Sequence, residues 1–581
     1  MTPPRSVVLR TWFGLGLIAL WTACSDPAIP ADTIYLNGDI LTVDDARPMV
    51  EAVAVRDGII VAVGNETDVL ELHGESTVVQ DLGGRTMAPG FIDGHAHFGG
   101  FGAQAVGANL LAAPDGNANT IDDLIREMQR YEERDELDRT GWIYGMGYDN
   151  AVLAEGRHPT RDDLDRVSTE FPVMAMHISG HIVAVNSAGL QAIGFSADTE
   201  DPAGGVIRRR SGSREPNGVL EELAGIPAMF GVLSPTDIDA QMYFINRGLE
   251  IAKSFGQTTV QEGRANTAAH ESLARAAMSG AFDIDIVTYI DYASREVITD
   301  EWHSDEYRNR YRIGGLKVTL DGSPQGRTAW RTAPYLLPPE GQEMGYRGYP
   351  ALPDDDLVIS LLSEAYEKDW QVLTHTNGDA AIDQLIRTMG QVHREHDVKD
   401  RRHVLIHGQF IRQDQLDSLV VLDLMPSLFP LHTFYWGDWY DEIVGPEQAQ
   451  RISPMRSALD RGLITTSHSD APVALPNLMR VMAATVNRTS REGQVMGENE
   501  RITREEALKA ITLWGAYQHF EEDRKGSIEI GKLADLVILS DNPLTVESST
   551  IGDIVVLETI KEGRSVYLAP QGQVRAPAEG G

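Results

Sequence analysis

Along the first part of the chain apolar and polar residues alternate singly. Val53 and Val55, then Ile59, Val61 and Val63, flank an Arg56-Asp57-Gly58 turn, and a period of two interrupted by a turn marks a hairpin. The segment 32–88 therefore predicts a β meander. The same alternation returns only near the other end, in 531–539 and 554–568, where Glu562-Gly563 offers a second hairpin turn. Neither set is large enough to bury a face alone. The two are expected to pack together, 32–88 with 520–570, as one small discontinuous β-sandwich.

Between them, over 89–519, the pattern becomes short apolar runs separated by segments of helical period, such as those near 355–368 and 379–395. Runs at 91–97, 258–262, 284–290, 316–320, 372–375, 404–407, 424–428 and 463–466 make eight strands alternating with helices. That is the number of a (β/α)8 barrel, and the fold class expected is α/β. An insertion at about 99–247 separates the first two runs and carries strand-like pieces of its own at 142–148 and 173–177. Insertions on a barrel's top face shape access to it.

The 581 residues are 42% hydrophobic, enough for a large core. Against 50 Lys and Arg stand 86 Asp and Glu, a formal charge of −36, which repels phosphate backbones and excludes nucleic acid as an expected partner. Arg5 and Arg10 precede the apolar stretch 11–23, which is too short to span a bilayer and has the shape of an export signal. Cys24, the only cysteine, follows Thr22-Ala23, an arrangement that resembles the bacterial lipobox. The expectation is an exported lipoprotein held to a membrane through lipidated Cys24, with an ordinary cleaved signal or an uncleaved anchor as the alternatives. A single cysteine also leaves no intramolecular disulfide.

The candidate chemistry sits where the apolar runs end. His95 and His97 close Pro89-Gly90-Phe91-Ile92-Asp93-Gly94-His95-Ala96-His97, and two residues apart on a strand they would share one face. Lys317, His375, His407 and Asp470 each terminate a later run. Strands that each end in one convergent polar group build an active site at the top of a barrel. Neutral imidazoles with a carboxylate suit zinc or a similar divalent ion.

These motifs, with Lys317-Val-Thr-Leu-Asp321-Gly-Ser-Pro-Gln-Gly-Arg327, His375-Thr-Asn-Gly-Asp379, Ser469-Asp470-Ala471-Pro472-Val473 and the closing Lys525-Gly-Ser-Ile-Glu-Ile-Gly-Lys-Leu-Ala-Asp, resemble the amidohydrolase superfamily, in the branch that includes N-substituted formamide deformylase. The resemblance implies one or two divalent ions, zinc expected. His95, His97 and Asp470 would hold one, His375 and His407 a second, and a carboxylated Lys317 would bridge them. The other reading of Lys317 is an ion pair with Asp321 beside a mononuclear site. Asp470 is implied as general base and acid, taking a proton from water and passing it to the leaving nitrogen. His181 and Asn186 match a motif of the branch and are candidates to hydrogen-bond substrate, or a structural turn. Asp321 and Arg327 would anchor an anionic or carbonyl group, or pair internally. His432 and Trp436 suggest an aromatic lid or a packed loop, and His468 a support for Asp470.

The function expected is hydrolysis of carbon–nitrogen bonds other than peptide links, in small linear amides such as N-acyl or N-formyl amines. Cyclic amides or amidines are the alternative substrates, and a solute-binding lipoprotein is the alternative from another class. The oligomeric state is left open, a homo-oligomer included.

Overall fold

A computed structural model describes residues 29–132, 140–202, 205–233, 237–339, 342–396 and 400–570. The export segment and Cys24 lie outside the described residues. Among the described residues no helix is long and apolar enough to cross a membrane.

Strands from both ends of the chain join in one mixed sheet of eight. Its order runs Arg564–Leu568, Val556–Lys561, Leu536–Leu539, Thr86–Pro89, Thr33–Leu41, Met49–Arg56, Ile59–Gly64, with Val78–Asp81 also paired to Thr33–Leu41. The two expected turns have the positive φ values of primed hairpin turns, 51° and 77° at Asp57 and Gly58, 48° and 72° at Glu562 and Gly563. The turns also meet: a Cβ on Gly58 would stand 2.9 Å from the Glu562 carbonyl oxygen. The sheet thus curls, and Val53, Ile60, Leu536, Leu557 and Ile560 share one core. In its hydrogen bonding it is one continuous sheet that curls over this core.

A second sheet is wholly parallel, with eight strands in chain order: Phe91–Ile92, Gln257–Ala265, Asp285–Asp291, Tyr311–Thr319, Gln371–Thr376, Val404–His407, Met425–Leu428 and Thr466–Ser467. Helices such as Asp355–Glu367 and Asp379–Val392 fill the crossovers. The first strand stops at Ile92, short of the expected 97. The reason is Asp93, whose carboxylate accepts the backbone N–H groups of His95 (3.3 Å) and Ser469 (3.0 Å), so those donors leave the ladder. Beyond it the Asp470 N–H donates to the His95 carbonyl at 3.0 Å, which ties the first strand's extension to the last's. Gly94 permits this approach, since a Cβ there would lie 2.6 Å from the Thr466 hydroxyl.

The insertion builds a third sheet, six strands from Ala108–Asn109 to Pro216–Glu222, over its own core of Leu110, Ile143, Met174, Val183 and Leu220. Two of its strands, Ile143–Tyr148 and Val173–His177, correspond to the pieces read from the sequence. At the other end of the parallel sheet, buried Asp285, Lys525, Lys561 and Asp535 form an ion network between it and the curled sheet.

Candidate metal centre

The C-terminal ends of the parallel strands deliver six polar side chains to one cavity of about 240 Å³. His97, Lys317, His375, His407 and Asp470 line it, and His95 stands behind them, fully buried. One ligand atom each from His95, His97 and Asp470 falls within 4.8 Å of the other two. Asp470 Oδ1 is 3.5 Å from His97 Nε2 and 3.8 Å from His95 Nε2, yet it is buried without a hydrogen-bond partner. A buried carboxylate oxygen left without a donor between two imidazole nitrogens fits a cation at the point all three face. His375 and His407 face each other edge-on, ring centroids 4.5 Å apart, and His407 Nδ1 lies 3.9 Å from Asp470 Oδ2.

Two of these residues sit on strained backbone. Asp470 and His407 have φ of 53° and 76°, values that cost non-glycine residues on the order of 1–3 kcal/mol and concentrate at functional sites. A close approach also operates at Gly263, where a Cβ would stand 2.2 Å from the His95 ring.

Outer partners fix each ligand. His95 Nδ1 donates to Gln261 Oε1 at 2.5 Å while Gln261 Nε2 donates to the Gly94 carbonyl at 3.2 Å, leaving His95 Nε2 toward the cavity. His97 Nδ1 lies 3.8 Å from Glu262 Oε1. Sequence reading passed over Gln261 and Glu262, although both close the strand-like run 258–262. Replacing Gln261 by Met is expected to weaken zinc affinity about 10- to 100-fold, read by competition with a chelator; unchanged affinity would deny its orienting role.

Burial pushes His95 and His407 well below the usual imidazole range, so both rings are neutral. It would also raise Asp470, but His97, His468 and Lys317 together outweigh it and hold the carboxyl below its usual value. Burial lowers Lys317 to about 7. The Lys317 ammonium has no ion pair with Asp321 among the described residues; Nζ instead donates to His95 Nε2 at 2.9 Å.

The remaining expected residues divide. His181 reaches the cavity from the insertion, its Nδ1 2.9 Å from Glu222 Oε2. Asp321 lines the cavity but is not free to anchor substrate: its oxygens accept the N–H groups of Asn377, Gly378 and Trp330, and Oδ1 lies 3.3 Å from His375 Nδ1. Asn186 is a correction. Fully buried, it caps the helix Ser187–Ala192 through Gly189 N–H and braces Val173 N–H and the Ser168 and Phe171 carbonyls, which occupies both ends of its amide. His432 is another, packed between Phe429 and Trp436 with Nδ1 2.5 Å from the Tyr440 hydroxyl and not among the residues that line this cavity. No lid is formed by this segment, because Trp436 is itself buried and donates its indole N–H to Asp149 at 2.9 Å. His468 supports His407 rather than Asp470, with Nε2 3.1 Å from His407 Nδ1 and Nδ1 2.9 Å from Ser427 Oγ. Arg327 and Trp436 line a second cavity.

A parallel α/β sheet whose strand ends gather imidazoles, a lysine and a carboxylate is the frame of a metal-dependent hydrolase. The chain belongs to the amidohydrolase family, whose pattern matches residues 78–567. It is similar to a putative amidohydrolase, YtcJ, of Bacillus subtilis (strain 168), 26% identical over 558 residues and covering 92% of this chain and 99% of the relative. N-substituted formamide deformylase of Arthrobacter pascens is 24% identical over 554 residues, covering 92% and 97%. Among solved structures, an uncharacterized metal-dependent hydrolase from Pyrococcus horikoshii OT3 shares the fold, with a TM-score of 0.70, 22% identity, and coverage of 89% of this chain and 99% of that one.

Proposed function

We propose that the chain hydrolyses linear amides other than peptides, N-acyl and N-formyl amines foremost. The observation that carries this reading is the unpartnered Asp470 Oδ1 set between His95 and His97 in a cavity that Lys317, His375 and His407 also enter. The deformylase relative supports the choice of amides. His95, His97 and Asp470 would hold a divalent ion, zinc by preference, with His375 and His407 placed for a second and Lys317, carboxylated, as the bridge. Such an ion, when bound, polarises a carbonyl and makes water a nucleophile near neutral pH.

The chain's own residues supply the rest. Asp470, held as a carboxylate, accepts the water's proton and returns it to the nitrogen that leaves, which an amide requires because an amide anion leaves poorly. His181, which lines the same cavity, would donate to the substrate carbonyl.

The proposal includes the architecture that presents this site: a (β/α)8 barrel over 89–519, with the insertion as its roof and 32–88 with 520–570 as a composite sandwich. It also includes export through 1–24 and a lipid anchor at Cys24. Family membership sets the solute-binding reading aside.

A panel of formylated amines, longer acyl amines, lactams and amidines, assayed with zinc- and manganese-loaded enzyme, tests the substrate class. Linear amides should turn over fastest, and chelation should abolish the activity. Faster turnover of an amidine or a lactam would replace this reading with the cyclic alternative.

A further inference from the structure

A second cavity, about 460 Å³, shares His177 with the ligand cavity as a common wall. Its charge accounts are uneven. Arg157 is neutralised by Asp163 through two contacts of 2.7 and 3.1 Å, and Arg208 is paired with Glu221. Asp149 spends its oxygens on the Trp436 indole N–H and the Ala151 N–H, each at 2.9 Å. Among the described residues Arg327 alone of these arginines touches no carboxylate, Glu442 acting on it only from a distance: its contacts are the Leu337 and Pro338 carbonyls, at 3.1 and 3.0 Å, and the Trp439 ring, 5.3 Å from the guanidinium carbon. Both carbonyl contacts use Nη1, and among the described residues Nε and Nη2 have no hydrogen-bond partner. In a chain with a formal charge of −36, a guanidinium that faces a cavity with no carboxylate in contact among the described residues is suited to a ligand anion.

The backbone holds Arg327 there. Its φ is 56°, in a loop closed by Arg327 N–H to the Pro324 carbonyl and Thr328 N–H to the Ser323 carbonyl. The loop follows directly from the strand Tyr311–Thr319, which carries Lys317.

Two buried polar atoms on the same walls lack hydrogen-bond partners, Gln325 Oε1 and His177 Nε2, the latter 3.8 Å from Asp149 Oδ1. The Ser179 N–H donates to His177 Nδ1 at 3.2 Å, which puts the proton of the neutral ring on Nε2. His177 thus offers a donor at the wall common to both cavities.

We propose that this second cavity is the substituent subsite of the enzyme and that it selects amides bearing a carboxylate, with Arg327 taking the carboxylate and the Trp439 ring backing the cation. The proposal rests on the amide reading above, since it names which amides enter. The apolar part of the substituent lies against Trp436, and His177 Nε2–H meets the connecting portion of the substrate.

The test compares N-formylphenylalanine with N-formylphenethylamine, one skeleton with and without the carboxylate, on metal-loaded enzyme. Wild type should favour the carboxylate by about 10- to 100-fold in kcat/KM, the range expected for a hydrogen-bonded charge pair. Arg327→Met should bring that ratio close to one, and Arg327→Lys should keep part of it. A wild-type ratio of one or less, or a ratio that survives Arg327→Met, overturns the proposal. If wild type hydrolyses neither compound, the amide reading has failed and the subsite is judged by binding alone. For that, phenylacetate is titrated calorimetrically into metal-free protein. Binding by wild type that weakens at least tenfold in Arg327→Met supports the subsite; no binding, or equal binding, overturns it.

Discussion

Asp470→Asn is expected to fold, to bind metal more weakly and to lose about 10² to 10⁴ of its turnover. The substitution is clean for a structural reason. Asp470 sits at φ 53°, a left-handed conformation that asparagine tolerates as well as aspartate, and its backbone bonds to the His95 carbonyl and from Val473 N–H do not involve the side chain. What changes is Oδ1 or Oδ2, one of which becomes an amide nitrogen. That nitrogen cannot accept a proton and presents hydrogens toward His95, His97 or His407, all within 4 Å of the carboxylate. The loss should be greater for an alkyl amide than for an activated aryl ester, because only the amide's nitrogen must be protonated as it leaves. Metal content, measured on the same preparation, separates the loss of binding from the loss of proton transfer. If the variant keeps its metal and hydrolyses both substrates at nearly the wild-type rate, the base lies elsewhere. His181 would then be the next residue to test, since it faces the cavity, while His468 is stacked on Phe429 at 5.1 Å and is pushed down to about 3 by burial.

The residues that gather in the cavity were legible in the sequence because they obey a local rule, one polar residue at the end of each apolar run. Lys317, His375 and His407 sit on or at the end of their strands as that rule requires. His95 and His97 reach the cavity by another route than the one the spacing suggested. Their strand has ended by Ile92, and the turn at Asp93 brings the two rings to 5.0 Å, nearly perpendicular. Spacing of two was the right signal attached to the wrong element. Gln261 and Glu262 close the strand-like run 258–262 and were passed over, because glutamine and glutamate at a strand end are ordinary without knowledge of what they face. His177 and Asn186 show the limit in the other direction. Both lie in the insertion, whose sheet is long-range in the chain, from Ala108 to Glu222. Which of its polar residues turns toward the parallel sheet depends on packing that no short motif encodes. The curled sheet was readable in its two hairpins but not in its closure, which depends on Leu536 pairing with Pro89 across more than four hundred residues.

The ion network at the far end of the parallel sheet was not legible as a network, although Lys525 and Asp535 bound the closing motif, and it carries the largest expected effect on stability. Asp285 is 3% exposed and its Oδ2 accepts from Lys525 Nζ at 2.5 Å and Lys561 Nζ at 2.6 Å, while Oδ1 accepts from Arg310 at 2.9 Å. Lys561 also donates to Asp535 at 2.7 Å, and Lys525 lies 3.1 Å from Glu521. One carboxylate therefore keeps two buried ammonium groups and a guanidinium together where the curled sheet meets the parallel one. Asp285→Asn preserves the shape but removes the charge that these cations share. Breaking a buried pair by removing one partner costs about 3–5 kcal/mol, and a shift of that size should appear in urea unfolding. Hydrogen exchange should quicken first in Val556–Lys561 and Leu536–Leu539, the strands that the network pins. The acid dependence carries a sign. Burial alone would raise Asp285, but Lys525 and Lys561 outweigh it and hold the carboxyl well below the usual range. A carboxyl depressed in the folded state contributes its full stability above the unfolded value, about 4, and loses it as the pH falls from there toward the folded value. Wild type should therefore lose stability below about pH 4, and Asp285→Asn should show a flatter acid slope from a lower starting point. Equal denaturation midpoints with equal acid slopes would mean that the lysines find other partners and that the sheet junction is held by its apolar contacts alone.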